Sequence, residues 1–421
     1  MSVLTTDPLV SVENIYKAKV RLRNVAEQTP LMLNYNLSEH YGAQIYLKRE
    51  DLQVVRSYKI RGAYNKMAST PLDQLKNGIV CASAGNHAQG VALACHKLKV
   101  SGKVYMPIVT PQQKVRKVKN FGRKHVEVIL VGDTFDDAYH EALKDAEENN
   151  KLFIHPFNDE KIIEGQGTVG LEILEDINVP IDYLFIAIGG GGLVSGVGSY
   201  FRQLSPSTKI IGIEPKGAPA MYESLKKGEI VKLDNIDSFV DGAAVKQVGD
   251  KTFSIAQKVV NDMLLVDEGK VCSTILNLYN EEGIVAEPAG ALTIAALDQY
   301  KDQIKGKNVV CVISGSNNDI TRTEEIRERA LLYEGKKHYF LIRFPQRAGA
   351  LRDFLNNVLG PDDDITHFEY TKKHNRATGP AMVGIQLQDH SDYAALIQRM
   401  NDHKIDYQEL NGTGMLFDVL V

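Results

Sequence analysis

The chain has 421 residues, 43% hydrophobic and 24% charged, with a net charge of −4. That length exceeds what one hydrophobic core usually holds, so two or three domains are expected, and the charge excludes a general basic field for nucleic acid. Four cysteines, at 81, 95, 272 and 311, form no C-x-x-C pair and no zinc spacing, which reads as buried reduced thiols in a cytoplasmic protein. The N-terminal Met-Ser-Val-Leu-Thr-Thr-Asp lacks a basic region followed by an apolar core, so a signal peptide is not supported.

In chain order, the first chemical signal is Lys48-Arg49-Glu50-Asp51-Leu52-Gln53, followed by Ser57-Tyr58-Lys59-Ile60-Arg61-Gly62. A lysine in Ser-x-Lys is usually a solvated surface charge, so Lys59 by itself carries no chemistry. Strand Gly78–Ala82 leads into Ser83-Ala84-Gly85-Asn86-His87-Ala88-Gln89-Gly90, where Asn86 alone reads as a helix cap. Strands Lys103–Met106 and Glu127–Val131 flank Lys114–Lys119, whose cations are interrupted by valines at helical intervals and read as a solvated helix face.

Tyr183 to Ile188 has the pattern of a buried strand and runs into Gly189-Gly190-Gly191-Gly192 and a helical segment. Strand, glycines, helix is the layout of a phosphate cradle. Glycine lets backbone N–H groups approach oxygens, and the helix start adds partial positive charge. A flexible turn is the competing reading. The uncharged window Tyr183–Phe201 is nearly long enough to span a membrane, yet its glycines fit a strand and loop better than a helix in lipid. Strand Lys209–Ile213 precedes Glu214, Glu287-Pro288-Ala289-Gly290-Ala291 follows, and strand Asn308–Ile313 runs into Ser314-Gly315-Ser316-Asn317. Apolar runs alternating with helix-period segments argue for α/β layers with mainly parallel sheets.

In combination these motifs resemble the tryptophan-synthase-β family of pyridoxal-phosphate (PLP) enzymes, fold type II, and within it the threonine dehydratases, over about Ile15 to Glu334. The resemblance implies two α/β lobes around PLP, a small one at about 48–158 inserted into a large one made of 1–47 and 159–330. It implies Lys59 as the residue bonded to PLP and as the base at Cα, and Gly189, Gly190, Gly191 and Gly192 around the phosphate. Asn86 would meet the 3′-oxygen, Ser314 the pyridine nitrogen, and Glu287 would be a polar contact on the cofactor side. Ser83, Ala84, Gly85, Asn86 and His87 would receive the substrate carboxylate, with His87 open to a packing role and Ser314 to helix capping. Glu214 is similar to a cation ligand of related dehydratases and racemases, but a single carboxylate assigns no metal. The chain departs from the family in Tyr58 for its usual Phe, Ser316 for its usual Gly or Ala, and an unusual Val54-Val55-Arg56.

At about Ala330 the pattern changes. Residues 331–337 read as a linker. Segments His338–Phe344, Ala348–Val358, Asp364–Lys372, Ala381–Gln388, Asp392–His403 and Met415–Val421 then give β-α-β-β-α-β, the ferredoxin-like order. The turn Pro345–Leu351 is similar to the entry of ACT-like regulatory domains in biosynthetic threonine dehydratases. Residues 338–421 are therefore expected to be one ACT-like α+β domain, with Phe344, Pro345 and Leu351 as candidates for an effector site. A dimerisation module without a ligand is the alternative.

The resemblance implies PLP-dependent deamination of L-threonine by β-elimination of water, giving 2-oxobutanoate and ammonia in the first step of isoleucine biosynthesis, with L-serine as a second substrate. Isoleucine is the implied inhibitor and valine its antagonist, in a cytoplasmic homotetramer with no nucleic-acid or membrane partner. Serine racemase and β-replacement enzymes such as cysteine synthase share the lysine and the glycine loop. The pair Asn86-His87, where cysteine synthases have Asn-Thr, favours the dehydratase branch. A non-catalytic PLP-binding amino-acid sensor is the reading from another class, and Lys59 argues against it.

Overall fold

A computed structural model describes residues 8–370 and 377–412. Residues up to 318 and residues from 319 onward form two separate compact units. In the first, the strands are β1 (Leu31–Leu33), β2 (Gln44–Arg49), β3 (Ile79–Ala82), β4 (Gly102–Met106) and β5 (Val126–Leu130). They continue as β6 (Leu152–Phe153), β7 (Tyr183–Ala187), β8 (Lys209–Pro215), β9 (Asp262–Val266) and β10 (Asn308–Ile313). Two sheets result, a six-stranded one in the order β1-β2-β10-β7-β8-β9 and a four-stranded one in the order β5-β4-β3-β6. Every pairing is parallel except β1 with β2. Continuous apolar runs such as Val309 to Ile313, all fully buried, suit strands covered on both faces.

Parallel sheets present their functional loops at the carboxyl ends of the strands. Ser83 follows β3, the glycine run follows β7, Glu214 lies at the end of β8 and Ser314 follows β10. The uncharged window 183–201 divides into β7 and the helix Gly192–Leu204, and no helix among the described residues is long and apolar enough to cross a membrane. All four cysteines are buried and free.

The helix that carries Lys59, Lys59–Ser69, meets the helix Glu160–Asp176 backbone to backbone. A Cβ on Gly165 would come within 2.5 Å of the Arg61 carbonyl oxygen, so only glycine permits this approach. Buried charges hold the same contact. Arg61 donates to both oxygens of Glu172 at 2.6 and 2.7 Å and to both oxygens of Glu50 at 2.7 and 2.8 Å. Lys48 Nζ donates to Glu172 at 2.8 Å and to the Thr29 carbonyl at 2.6 Å. The charged run at 48–51, read in the sequence as a family marker, is thus an interior anchor.

Burial tends to raise the Glu172 pKa, but Arg61 and Lys48 hold it below its ordinary value. Its contribution to stability is therefore present above the unfolded carboxylate pKa of about 4.3 and is lost as pH falls through the lower folded value. Replacing Arg61 by leucine leaves two buried carboxylates without their main partner. A loss of about 3–5 kcal/mol is expected, read as a lower urea midpoint; an unchanged midpoint would show that the anchor is dispensable.

In the second unit the helix Thr323–Tyr333 precedes β11 (Lys337–Pro345), the helix Ala350–Asn357, β12 (Asp364–Tyr370), β13 (Thr378–Gln386), the helix Asp392–Asp402 and β14 (Tyr407–Glu409). The order β12-β13-β11-β14, antiparallel throughout, is the ferredoxin-like arrangement. The strand Tyr407–Glu409 was not among those expected, and the expected strand Met415–Val421 lies outside the described residues. The stretch 331–337 is the end of a helix, a turn and the first residue of β11 rather than a free linker. Glu328 of that helix accepts hydrogen bonds from Lys337 and, at 2.7 Å, from the Tyr339 hydroxyl, which ties it to this antiparallel sheet.

Candidate active site

Lys59 opens its helix half-buried, and its Nζ donates to the Pro156 carbonyl at 3.2 Å. Burial pulls its pKa down to about 8, against the opposing pull of Glu287. An amine poised there can act as a base near neutral pH. The Tyr58 ring, where the family has Phe, has its centroid 5.3 Å from Nζ, and burial drives its hydroxyl pKa up, so it stays neutral beside the lysine.

The glycine loop after β7 is packed, which excludes the flexible-turn reading. A Cβ on Gly190 would lie 2.2 Å from the Phe157 ring, one on Gly189 2.9 Å from the Ala243 backbone, and Gly191 has a left-handed φ of +88°. Thr252 Oγ1 donates to the Gly190 carbonyl at 2.7 Å and fixes the turn. Side chains cannot cover this backbone, and the first N–H groups of the helix Gly192–Leu204 have no acceptor within the helix. A phosphate fits that arrangement. Neither Phe157 nor Thr252 carries a local sequence signal, since each acts on a loop dozens of residues away.

Asn86 is the first residue of the helix Asn86–Leu98, but the cap position is Gly85 and no side chain caps the helix. The Asn86 amide faces elsewhere: Nδ2 donates to Glu287 Oε1 at 2.6 Å, and Oδ1 accepts from Asn317 Nδ2 at 2.7 Å. Glu287 Oε2 accepts the Asn317 backbone N–H at 3.1 Å. Burial first, and Asp241 second, push the Glu287 pKa up to about 7, against the bonds from Asn86 and Asn317. Asn317 was legible as part of a family motif but without a role.

Ser83, Ala84 and Gly85 form a partly exposed loop in which the Ser83 hydroxyl accepts the Gly85 N–H at 3.1 Å. A Cβ on Gly85 would meet nothing within 4 Å, so this side of the loop is open. His87 turns away. It is buried, its Nε2 donates to the Ile154 carbonyl at 2.9 Å, and burial together with Lys59 pushes its pKa down to about 3. The ring is therefore neutral at working pH.

Ser314 is buried just past β10, and its carbonyl accepts the Tyr58 N–H at 3.3 Å, beside a bridge between Ser57 and Gly315. It caps no helix, because the next helical turn, Ile320–Arg322, is capped by Asp319. The Ser316 hydroxyl is engaged with the Asp51 carbonyl at 3.1 Å, so this departure from the family does not compete with Ser314. Glu214 is fully buried and accepts the N–H groups of Met221 and Tyr222, each at 2.8 Å, at the start of the helix Ala220–Lys227. Burial pushes its pKa up to about 8, and no cluster of three potential metal-binding side chains occurs among the described residues. In the second unit, Phe344 is a core residue packed on Phe354 at 5.2 Å between ring centroids, whereas Pro345 and Leu351 are exposed.

A packed but bare glycine loop and a lysine with a lowered pKa fit pyridoxal phosphate. The family of pyridoxal-phosphate dependent enzymes matches residues 22–315, and the C-terminal regulatory domain of threonine dehydratase matches residues 328–420. The chain belongs to the threonine dehydratases of this PLP-dependent enzyme family. It is 59% identical over 412 residues to the biosynthetic L-threonine dehydratase of Halalkalibacterium halodurans, covering 98% of this chain and 99% of that one. Against the Bacillus subtilis enzyme of the same name the identity is 57% over 419 residues, 100% of this chain and 99% of the other. Among solved structures, the processed form of threonine deaminase isoform 2 from Solanum lycopersicum aligns with a TM-score of 0.72 at 40% identity, over 78% of this chain and 96% of that one. Maize serine racemase aligns at 0.71 and 29% identity, over 77% and 98%. The two-lobed α/β fold with an appended regulatory domain is therefore that of this family.

Proposed function

We infer that this enzyme deaminates L-threonine by β-elimination of water, the resulting enamine tautomerising and taking up water to give 2-oxobutanoate and ammonia in the first step of isoleucine biosynthesis, and that L-serine is a second substrate. The observation that carries this reading is a half-buried lysine whose pKa is pulled down to about 8, in a chain 59% identical to a biosynthetic threonine dehydratase. Lys59 would hold the cofactor covalently, the N–H groups of Gly189–Gly192 its phosphate, Asn86 its 3′-oxygen and Ser314 its ring nitrogen, with Glu287 holding Asn86. When bound, PLP supplies a sink for the electron pair left at Cα. Lys59 would be the base that takes the Cα proton, and the Cβ hydroxyl would leave protonated, as water. The backbone N–H groups and hydroxyl of Ser83–Asn86 hold the substrate carboxylate by charge-assisted bonds.

Ser314 offers the ring nitrogen a neutral partner that does not enforce its protonation. The Ser314→Asp variant is expected to slow elimination by about tenfold or more and to raise the share of side products. Unchanged rate and product partition would show that Ser314 does not meet the ring.

The second unit would sense isoleucine, opposed by valine, at the Pro345–Leu351 turn. Phe344 supports that turn from the core rather than lining a pocket. A cytoplasmic homotetramer belongs to the same reading. The test is 2-oxo acid formation from threonine and serine, with and without isoleucine and valine. PLP absorbance without turnover would instead favour an amino-acid sensor, and racemised serine as the main product a racemase.

A further inference from the structure

We propose that Asn317 is a positioning residue that sets the orientation of the Asn86 carboxamide toward the cofactor. This rests on the reading of Asn86 as a cofactor contact. An amide side chain can be turned end for end with little change in shape, so its direction must be fixed by neighbours whose roles cannot reverse. Asn317 has such neighbours on both sides. Lys117 Nζ, which can only donate, donates to Asn317 Oδ1 at 3.2 Å. The Val55 backbone carbonyl, which can only accept, accepts from Asn317 Nδ2 at 2.8 Å. With both ends of its amide fixed, Asn317 directs the other Nδ2 hydrogen to Asn86 Oδ1 at 2.7 Å.

The direction passes on to Asn86. Its Oδ1 is taken, so its Nδ2 must lie on the other side, where one hydrogen goes to Glu287 Oε1 at 2.6 Å. The second Nδ2 hydrogen is left to donate to an acceptor such as the cofactor 3′-oxygen. A reversed Asn86 would offer an oxygen there and repel it. The arrangement also accounts for Val54-Val55-Arg56. Arg56 takes a left-handed φ of 60°, its carbonyl accepts the Ser316 N–H at 2.9 Å, and the Val55 carbonyl beside it receives Asn317. Lys117 belongs to the helix Gln112–Gly122, so a cation of the run read as a solvated face takes part in the site. Its neighbour Lys114 likewise pairs with Asp241 at 2.6 Å.

Asn317→Asp keeps the size and the oxygen that Lys117 needs but loses the donor toward Val55 and Asn86. Asn317→Ala removes the amide without adding charge and carries the test if the aspartate variant does not fold. The backbone N–H to Glu287 survives in both. PLP dissociation constants and the pH titration of cofactor absorbance would be measured on the full chain for both variants, for Asn86→Ala and for the double replacements. Each single variant is expected to weaken PLP by about tenfold, with matching shifts in the absorbance titration. The double variants should be no weaker than Asn86→Ala alone, because Asn317 acts through Asn86. If Asn86→Ala weakens PLP while the Asn317 variants do nothing, or multiply its effect, the positioning role is wrong. If Asn86→Ala is itself neutral, the cofactor reading of Asn86 fails and the inference falls with it.

Discussion

Lys59→Ala is expected to abolish threonine deamination, by at least about 10³-fold, together with the visible absorbance of covalently bound cofactor. The size of the effect would follow from one amine serving two steps, since in the proposed reaction the residue that bonds the cofactor is also the base at Cα. Three other lysines of this unit are engaged elsewhere. Lys48 is fully buried against Glu172, Lys114 is paired with Asp241, and Lys117 is bonded to Asn317. Lys59→Arg should fail as completely, because a guanidinium is not deprotonated in a protein and cannot form the bond. A small primary amine added to Lys59→Ala should recover part of the lost rate, as its bulk permits. Near-wild-type deamination in either variant would remove Lys59 from the mechanism.

Deleting everything after Asn318 is expected to leave threonine deamination within a few fold of the full chain and to eliminate its response to isoleucine. Every residue assigned to catalysis or cofactor binding lies at or before Asn317, inside the first compact unit, and the catalytic family match ends at 315. A cut after Glu334, where the sequence pattern changes, would strand the helix Thr323–Tyr333. That helix is bonded through Glu328 to Lys337 and Tyr339 of the regulatory sheet. Effector coupling of about 1–3 kcal/mol corresponds to a shift of roughly 5- to 150-fold in apparent affinity, so its loss is easily read from inhibition curves. Inhibition of the shortened enzyme at the same isoleucine concentration would refute the regulatory assignment. An inactive but folded truncation would show that the second unit is needed for catalysis itself.

Much of the fold was legible because its signals are local. The apolar run Asn308–Ile313 coincides with β10, and the strand expected at Gly78–Ala82 begins one residue later because Gly78 has a left-handed φ of +88°. The strand of the regulatory sheet at Tyr407–Glu409 was missed. It is a short, half-exposed edge strand of polar composition, and without one buried face it leaves no alternation to detect.

The sequence by itself pointed to Lys59, the glycine loop and the Asn86 and Ser314 segments as candidates, and to the family. Each is a short motif whose chemistry depends on residue type and immediate neighbours. Only the tertiary structure decided that His87 is buried and neutral, that Ser314 caps nothing, that Glu214 caps a helix and that Phe344 is core. It alone placed Phe157 and Thr252 against the glycine loop and Asn317 against Asn86. Those roles come from burial and from hydrogen bonds between segments far apart in the chain, such as Asn86 with Asn317, 231 residues away. No local pattern encodes such a pairing, because the partners meet only once the sheets and their connecting helices have packed.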